Sequence, residues 1–221
     1  MEKRESNYEI MKHRMQAQFA ARDLDQVAGQ WDLAREGNYL LLTFVGRPYR
    51  IDCTTGAVLW EHAGVLREAD YNVSMTLFDM LTRPRQTAAG EVLPISAFST
   101  LHSATVTGSG LFDRTARQFD HRSEALAAAC RRLGGVPYGK GDVGYLLPVF
   151  RDLRAAVQFW DSDEEFGPEL NLFCDRNILQ FMHFETMMFM LIHILERLAE
   201  EMDDGLSGLE DPGQSQIRLG R

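Results

Sequence analysis

Apolar residues near the C-terminus recur at three- and four-residue spacing, and this is the longest periodic pattern in the chain. It predicts a helix from Arg176 to about Met202, with Asp175 as its N-cap. Between Phe181 and Leu195 apolar residues occupy much of the helix circumference, which is typical of a helix buried in a core. We therefore expect this helix to be the central one, packed against a sheet.

Helical spacing also occurs in three shorter segments. These helices are predicted from Ser6 or Asn7 to about Ala28, from Tyr71 to Leu81, and from Ser123 to Leu133. The first has Met11, Met15 and Phe19 on one stripe, which would pack on the core. The last is followed by Gly134-Gly135, a strong signal for a helix end.

Alternation of apolar and polar residues between turn-forming residues predicts two groups of strands. The first group lies at Tyr39 to Val45, Tyr49 to Cys53 and Ala57 to Trp60. The second group lies at Val143 to Phe150, Ala155 to Trp160 and Leu170 to Cys174. The turns of the first group are short, so we expect an antiparallel β-meander there. Pro148 cannot donate a ladder hydrogen bond, so its strand should lie at a sheet edge or carry a bulge.

Together these elements predict a single α+β domain. In it, an antiparallel β-meander packs against the long C-terminal helix and an N-terminal helix. The length of 221 residues suits one large domain, which we place at residues 1–203. From Glu200 onward the sequence becomes polar and rich in glycine, so we expect a disordered tail at 204–221.

The charge balance limits the partners of the chain. It has 23 lysines and arginines against 32 aspartates and glutamates, a net charge of −9. This argues against binding to nucleic acid or to an anionic membrane surface, because both need a basic face.

The most apolar run is too short to span a membrane, and no apolar signal segment follows Met1. The 3 cysteines are far apart and form no CxxC motif, which indicates no disulfide framework or iron–sulfur cluster and a cytoplasmic location.

The most unusual segment chemically follows the strand predicted at 155–160. It places carboxylates close together between aromatic side chains, and we call it the acidic–aromatic segment: Phe159, Trp160, Asp161, Ser162, Asp163, Glu164, Glu165 and Phe166. Crowded like charges are costly to ionise together, and a bound cation would relieve that cost. Carboxylate oxygens suit Ca²⁺ or Mg²⁺. Asp161 and Asp163 match the first two ligand positions of an EF-hand loop, but Phe166 stands where that loop needs glycine.

Two other interpretations of the acidic–aromatic segment remain open. In one, it forms a ligand pocket in which Trp160 stacks on a planar group and a carboxylate, Asp163 or Glu165, orients the ligand. In the other, it is a strand-to-loop junction whose carboxylates cap backbone amides and pair with arginines. Its aromatic side chains, including Phe166, would then be buried.

Four ionisable residues on the long helix are also candidates for chemistry: His183, Glu185, His193 and Glu196. Glu185 stands among aromatic residues and methionines, so we expect a buried carboxylate that must find a donor or shift its pKa. We include it among the predicted ligand-binding residues. His193 and Glu196 share a helix face at i, i+3, but the sequence has neither an HExxH nor a paired ExxH motif. We interpret this pair as buried polar residues that fix the helix on the sheet.

Several of these segments resemble the DUF3786 family. The resemblance is carried by Leu147-Pro148-Val149, the run from Phe159 to Pro168, the run from Phe173 to Leu179, and Phe184-Glu185-Thr186. Its most specific part is a W-x-x-D-E-E-F element that begins at Trp160. The similarity extends over about Tyr39 to Glu196.

What the resemblance implies about function is limited. The family it points to is bacterial and archaeal, found mostly in anaerobes, and has no established activity. Some members carry an N-terminal cysteine motif for an iron–sulfur cluster, which links them to redox or corrinoid metabolism. This sequence lacks those cysteines, so the resemblance brings no cofactor and no catalytic residue to the chain.

Two functional hypotheses follow. The first is a binding or accessory module, in which a small molecule or a partner protein docks near Trp160. Asp163 and Glu165 would orient the ligand, with Glu185 behind them. The second is an enzyme that uses carboxylates for acid–base chemistry, with a divalent cation assisting. Its proton carrier would be Asp161, Asp163, Glu164 or Glu185. The enzyme hypothesis gains support if Asp163 and Glu185 converge in one cleft.

Overall fold

The structure, a computed structural model, describes residues 6–98 and 111–203. These residues form two antiparallel five-stranded sheets and seven helices, so the predicted α+β class is confirmed. The tail predicted at 204–221 lies outside the described residues, and the domain limits stay a prediction.

Two of the predicted helices are each divided into two. The helices of the described chain are α1 (Asn7–Ala20), α2 (Leu24–Trp31), α3 (Tyr71–Leu81), α4 (Leu111–Phe119), α5 (Ser123–Arg132), α6 (Ile178–Phe181) and α7 (Phe184–Asp203). The first predicted helix is interrupted because the carboxylate of Asp23 accepts a hydrogen bond from the amide of Gln26 and starts α2. The C-terminal one is interrupted because Asp79 accepts a hydrogen bond from the amide of His183 at 2.7 Å, which starts α7.

The first sheet is an antiparallel meander, as predicted. Its strands follow one another in chain order: β1 (Ala34–Glu36), β2 (Tyr39–Phe44), β3 (Arg47–Asp52), β4 (Val58–His62) and β5 (Val65–Glu68). The two outer strands, β1 and β5, were not predicted. Most of their residues are exposed, so they lack the alternation of buried and exposed positions that marks a strand in a sequence.

The second sheet contains the strand that precedes the acidic–aromatic segment. Its strands are β6 (Val92–Pro94), β7 (Val136–Pro137), β8 (Val143–Phe150), β9 (Leu153–Trp160) and β10 (Glu169–Asp175), arranged β6-β10-β9-β8-β7. β8 and β9 form a hairpin, and the ladder shifts register between Pro148 and Phe150, so the bulge predicted from the proline is confirmed. The acidic–aromatic segment begins at the end of β9, the central strand of this sheet.

The core is organised around α7, which is buried along most of its length. It packs against α3 and α5, and it meets the first sheet where the ring of His193 stacks on Phe44. A hydrogen bond of 2.9 Å from the amide of Val45 to the carbonyl of Val149 connects the two sheets. Within the described residues, no helix combines the length and apolar character that a membrane span requires.

Asp175 does not cap the C-terminal helix, contrary to the prediction. Its side chain is buried and accepts hydrogen bonds from the amides of Ala89, Gly90 and Asn177. The carboxylate therefore fixes the loop before β6 against the end of β10. The mistake arose because a carboxylate that binds a distant loop and a helix cap look the same in a sequence.

The turn between β3 and β4 provides a test of how α1 packs on the first sheet. Gly56 has φ +76°, and a Cβ at this position would clash with the backbone carbonyl of Gln16 in α1. Gly64 has φ +77° but no atom within 4 Å of such a Cβ, so it is a matched control. We expect Gly64→Ala to cost about 1 kcal/mol through its left-handed backbone alone. Gly56→Ala should cost about 1–3 kcal/mol more in chemical denaturation. Equal costs for the two variants would contradict this packing of α1.

Candidate functional site

Asp161 connects the acidic–aromatic segment to the start of α5. Its Oδ1 accepts a hydrogen bond from the amide of His121 at 2.6 Å, and its Oδ2 accepts one from Oγ of Ser123 at 2.5 Å. The Asp161 amide donates to the carboxylate of Asp142 at 2.8 Å. Both oxygens of Asp161 are therefore engaged in holding the turn between α4 and α5.

Asp163 stabilises the turn of its own segment. Its Oδ1 accepts hydrogen bonds from the amides of Glu165 at 2.8 Å and Phe166 at 2.7 Å. These backbone hydrogen bonds hold the pKa of Asp163 below its usual value, so the side chain is a carboxylate at neutral pH. Trp160 is half-buried and Glu165 is exposed.

Capping by Asp161 and Asp163 agrees with the structural interpretation of the segment. The expected burial of Phe166 is wrong, because its side chain is 70% exposed. Ligand binding by Trp160, Asp163 and Glu165 stays a prediction, as does a metal ion at Asp161 and Asp163. A cation at that place would compete with the hydrogen bonds that these carboxylates already accept.

Glu185 is exposed, contrary to the burial expected from its apolar neighbours in sequence. It lies in the first turn of α7 and lines a cleft of about 270 Å³ between α1, α3 and α7. The apolar lining includes Met15, Phe19, Tyr71, Met75, Phe78 and Phe189. No residue of the acidic–aromatic segment lines this cleft, so Asp163 and Glu185 do not converge there.

Asp79 holds one wall of the cleft in place. It accepts hydrogen bonds from Nε of Arg83 at 3.0 Å and from the amide of His183 at 2.7 Å. Its side chain is only 15% exposed. Burial alone would raise the pKa of Asp79, but the hydrogen bonds from His183 and Arg83 outweigh burial and lower it.

A second group of polar side chains surrounds His193, in the middle of α7. His193 is 3% exposed, and its Nε2 lies 3.2 Å from Oη of Tyr49 on β3. Burial lowers the pKa of His193 to about 4, because the interior disfavours the charged ring. The imidazole is therefore neutral at physiological pH.

Two carboxylates face His193 from different elements. Glu196 lies one turn further along α7, with Oε2 3.7 Å from Nδ1 of His193. Asp70 is the N-cap of α3, and its Oδ1 accepts a hydrogen bond from the amide of Val73 at 2.9 Å. One nitrogen of His193 and one oxygen each of Asp70 and Glu196 lie within 4.8 Å of one another. We call these three residues the Asp70–His193–Glu196 cluster.

The charged forms of the two carboxylates in this cluster are destabilised. Burial raises the pKa of Glu196 to about 7. Burial also raises the pKa of Asp70, although part of that residue reaches solvent. Within the described part of the chain, neither carboxylate forms an ion pair with lysine or arginine.

The arginines near the cluster have other partners. Arg47 forms an ion pair with Glu200 at 2.6 Å and lies over the ring of Trp60 at 3.8 Å. Arg197 forms ion pairs with Glu200 and, at 2.7 Å, with Glu201. Glu201 also pairs with Arg132 at 3.2 Å. These arginines therefore pair with Glu200 and Glu201 and not with the cluster.

The sequence analysis paired His193 with Glu196 but missed Tyr49 and Asp70. The i, i+3 spacing was a local signal for the pair. Tyr49 stands 144 positions from His193 along the chain, and no local pattern relates two such distant residues. Asp70 carried only the signal of a helix N-cap.

Comparison with known families now gives a decisive match. The model for a domain of unknown function, DUF3786, matches residues 23–197. The chain belongs to the DUF3786 family. The matched region contains the acidic–aromatic segment, Glu185 and the whole Asp70–His193–Glu196 cluster. Neither the curated proteins nor the solved structures provide a significant match, and the description of DUF3786 names no activity.

The contacts of Asp79 predict how stability depends on pH in this DUF3786 protein. The lowered pKa means that the carboxylate stabilises the fold above pH 3.8, its unfolded value, and that this contribution is lost as pH falls through the folded pKa. Asp79→Asn should therefore cost about 1–3 kcal/mol at pH 7, and its stability should converge with that of the wild type in acid. Chemical denaturation of both proteins, from pH 7 to below pH 3.8, measures the difference in their free energies of unfolding.

Asp25 offers a matched control for that experiment. Its carboxylate pairs with Arg35 but is 81% exposed. Asp25→Asn should change the free energy of unfolding by no more than about 1 kcal/mol. A cost for Asp79→Asn as small as this, or one that does not decrease in acid, would refute the role assigned to Asp79.

Proposed function

We propose that this DUF3786 protein binds a small organic molecule in the cleft between α1, α3 and α7. The observation that carries the proposal is the unpaired carboxylate of Glu185 beside an aromatic and thioether lining. In the described residues, no ion pair or side-chain hydrogen bond involves Glu185, and Arg22 also lines the cleft. Its charge raises the pKa of Tyr71, which also lines the cleft, second only to the effect of burial.

The lining suggests the chemistry of the ligand. The rings of Tyr71 and Phe189 meet edge to face at 5.5 Å between centroids. Aromatic faces next to a carboxylate favour a cationic amine, because both the ring quadrupole and the charge attract it. The volume of about 270 Å³ is at the lower end of the roughly 300–1,000 Å³ typical of ligand sites. We therefore propose a small molecule that joins an apolar body to an amine.

Trp160, Asp163 and Glu165 are a second proposed binding surface, and it suits a partner protein. The supporting observation is Phe166, a large apolar side chain that is 70% exposed beside the exposed carboxylates of Glu164 and Glu165. Exposed aromatic residues are enriched in protein interfaces.

Acid–base catalysis by Asp161, Asp163, Glu164 or Glu185 has less support, since Glu185 and Asp163 occupy different places. The free cysteines, with Cys130 and Cys174 buried, favour the cytoplasm as the location.

Benzylamine is a defined probe for the cleft. Met15 and Met75 line it, so their labelled methyl groups report binding by NMR. We expect saturable shifts of both signals. Glu185→Gln should weaken the affinity by about 2- to 5-fold, as expected for one partly solvated charge, and benzyl alcohol should bind similarly weakly to the wild type.

Glu165→Gln is the matched control, because it removes an exposed carboxylate from the acidic–aromatic segment. It should leave the shifts of Met15 and Met75 unchanged. No saturable shift, or shifts insensitive to Glu185→Gln, would contradict the cleft. Loss of binding in Glu165→Gln would place the ligand near Trp160 instead.

A further inference from the structure

We propose that Asp70, His193 and Glu196 bind a divalent first-row transition-metal ion. This site is separate from the cleft and does not depend on the function proposed for it. It combines one imidazole nitrogen with two carboxylates, brought together from α3 and α7.

The first argument is the unpartnered nitrogen of His193. Nδ1 is buried and has no hydrogen-bond partner, and the side chain as a whole is 3% exposed. Buried polar atoms almost always have a partner, so such an atom calls for an explanation. Nδ1 is directed toward Glu196, with Oε2 at 3.7 Å, a separation too long for a hydrogen bond. A metal ion between these atoms would satisfy both.

The distances suit metal coordination. With bonds of about 2.1 Å, two ligands at tetrahedral or trigonal angles are about 3.4–3.6 Å apart, and two opposite ligands are about 4.2 Å apart. The observed 3.7 Å between His193 and Glu196 is close to the first value. All three donor atoms lie within 4.8 Å of one another, so closing the longest separation to about 3.6 Å requires at most about 1.2 Å of movement by the flexible carboxylates.

The surroundings of His193 resemble those of a metal-binding histidine. Such residues hold their second ring nitrogen in a hydrogen bond that fixes the ring and its tautomer. Here Tyr49 occupies that position, 3.2 Å from Nε2, while Phe44 stacks on the ring with an interplanar angle of 3°. With Nε2 as the donor to Tyr49, Nδ1 keeps its lone pair on the side of Glu196.

Charge balance also favours a dication. Glu200 and Glu201 form ion pairs with Arg47, Arg197 and Arg132. Asp70 and Glu196 remain as two carboxylates without a lysine or arginine partner in the described chain. When both are ionised, their combined charge matches that of one divalent ion, and such an ion would relieve the repulsion between them.

The donor set selects the class of metal. Imidazole suits zinc, iron, nickel and copper, whereas Mg²⁺ and Ca²⁺ prefer oxygen ligands alone. Three protein ligands also leave coordination positions open, as in catalytic rather than structural zinc sites. Asp70 is partly exposed, so these positions would face the solvent side.

A second group of similar composition lacks the decisive feature. Asp120, His121 and Asp161 also lie within 4.8 Å of one another. Asp120 already accepts hydrogen bonds from the amide and Oγ of Ser162, at 2.9 and 2.8 Å, and Asp161 is engaged at both oxygens. None of these carboxylates needs a cation, so this group provides a control.

Calorimetric titration of the metal-free full-length protein with Zn²⁺ tests the proposal. We expect one ion per chain, with Mg²⁺ unable to compete. Asp70→Asn and Glu196→Gln each remove a ligand charge without changing shape, and asparagine retains the N-cap of α3. Each variant should weaken Zn²⁺ binding by more than about 10-fold, since losing even an outer-shell partner costs about 10- to 100-fold. Asp120→Asn should bind as the wild type does.

Several outcomes would overturn the site. They are the absence of stoichiometric Zn²⁺ binding, or binding that survives both Asp70→Asn and Glu196→Gln. Loss of binding in Asp120→Asn, or in Asp163→Asn, would instead place the ion in the second group or the acidic–aromatic segment. Circular dichroism of each variant confirms that it is folded. The visible spectrum of bound Co²⁺ gives a further check, because it should be lost in both ligand variants and retained in Asp120→Asn.

Discussion

The burial of α7 is the constraint on which the rest of the structure depends. This helix fills the space between α3, α5 and the first sheet, yet it carries ionisable residues on its buried surface, including His193 and Arg197. Burying a polar or charged group without a partner is unfavourable, so each such residue contacts another element or the next turn of α7. Arg197 pairs with Glu200, which also binds Arg47 of β3. The position of the helix on the sheet is thereby fixed by charge as well as by apolar packing.

The same constraint creates both candidate sites, which lie on either side of the first turn of α3. Asp70 caps α3 and faces His193, while the next residue, Tyr71, contacts Phe189 and lines the cleft. Glu185 and His193 are two turns apart on α7, so their side chains lie in different surroundings. In the cleft a free carboxylate is exposed beside aromatic rings. In the cluster two carboxylates lie close to a buried, neutral imidazole, and one of them, Asp70, reaches solvent.

Local patterns were enough to predict α3, α5, the meander and the bulge at Pro148, because each depends on residues near in sequence. The break before α7 was not predictable in this way, since it depends on Asp79, 104 positions before His183. The exposure of Phe166 was missed because hydrophobicity favours burial without ensuring it. For the candidate sites, the i, i+3 spacing identified His193 and Glu196, and only the fold adds Tyr49 and Asp70. The chemistry of the cluster lies in that tertiary arrangement.

The central claim is that α7 presents a bare imidazole nitrogen to two unpaired carboxylates. The ¹⁵N chemical shifts of the His193 ring, measured in metal-free protein at neutral pH, test it most directly because they distinguish the tautomers. We expect a neutral ring with its proton on Nε2, toward Tyr49, and a lone pair on Nδ1. A proton on Nδ1 would contradict the account. His193 would then donate toward the carboxylates of Asp70 and Glu196, and no lone pair would be available for a cation.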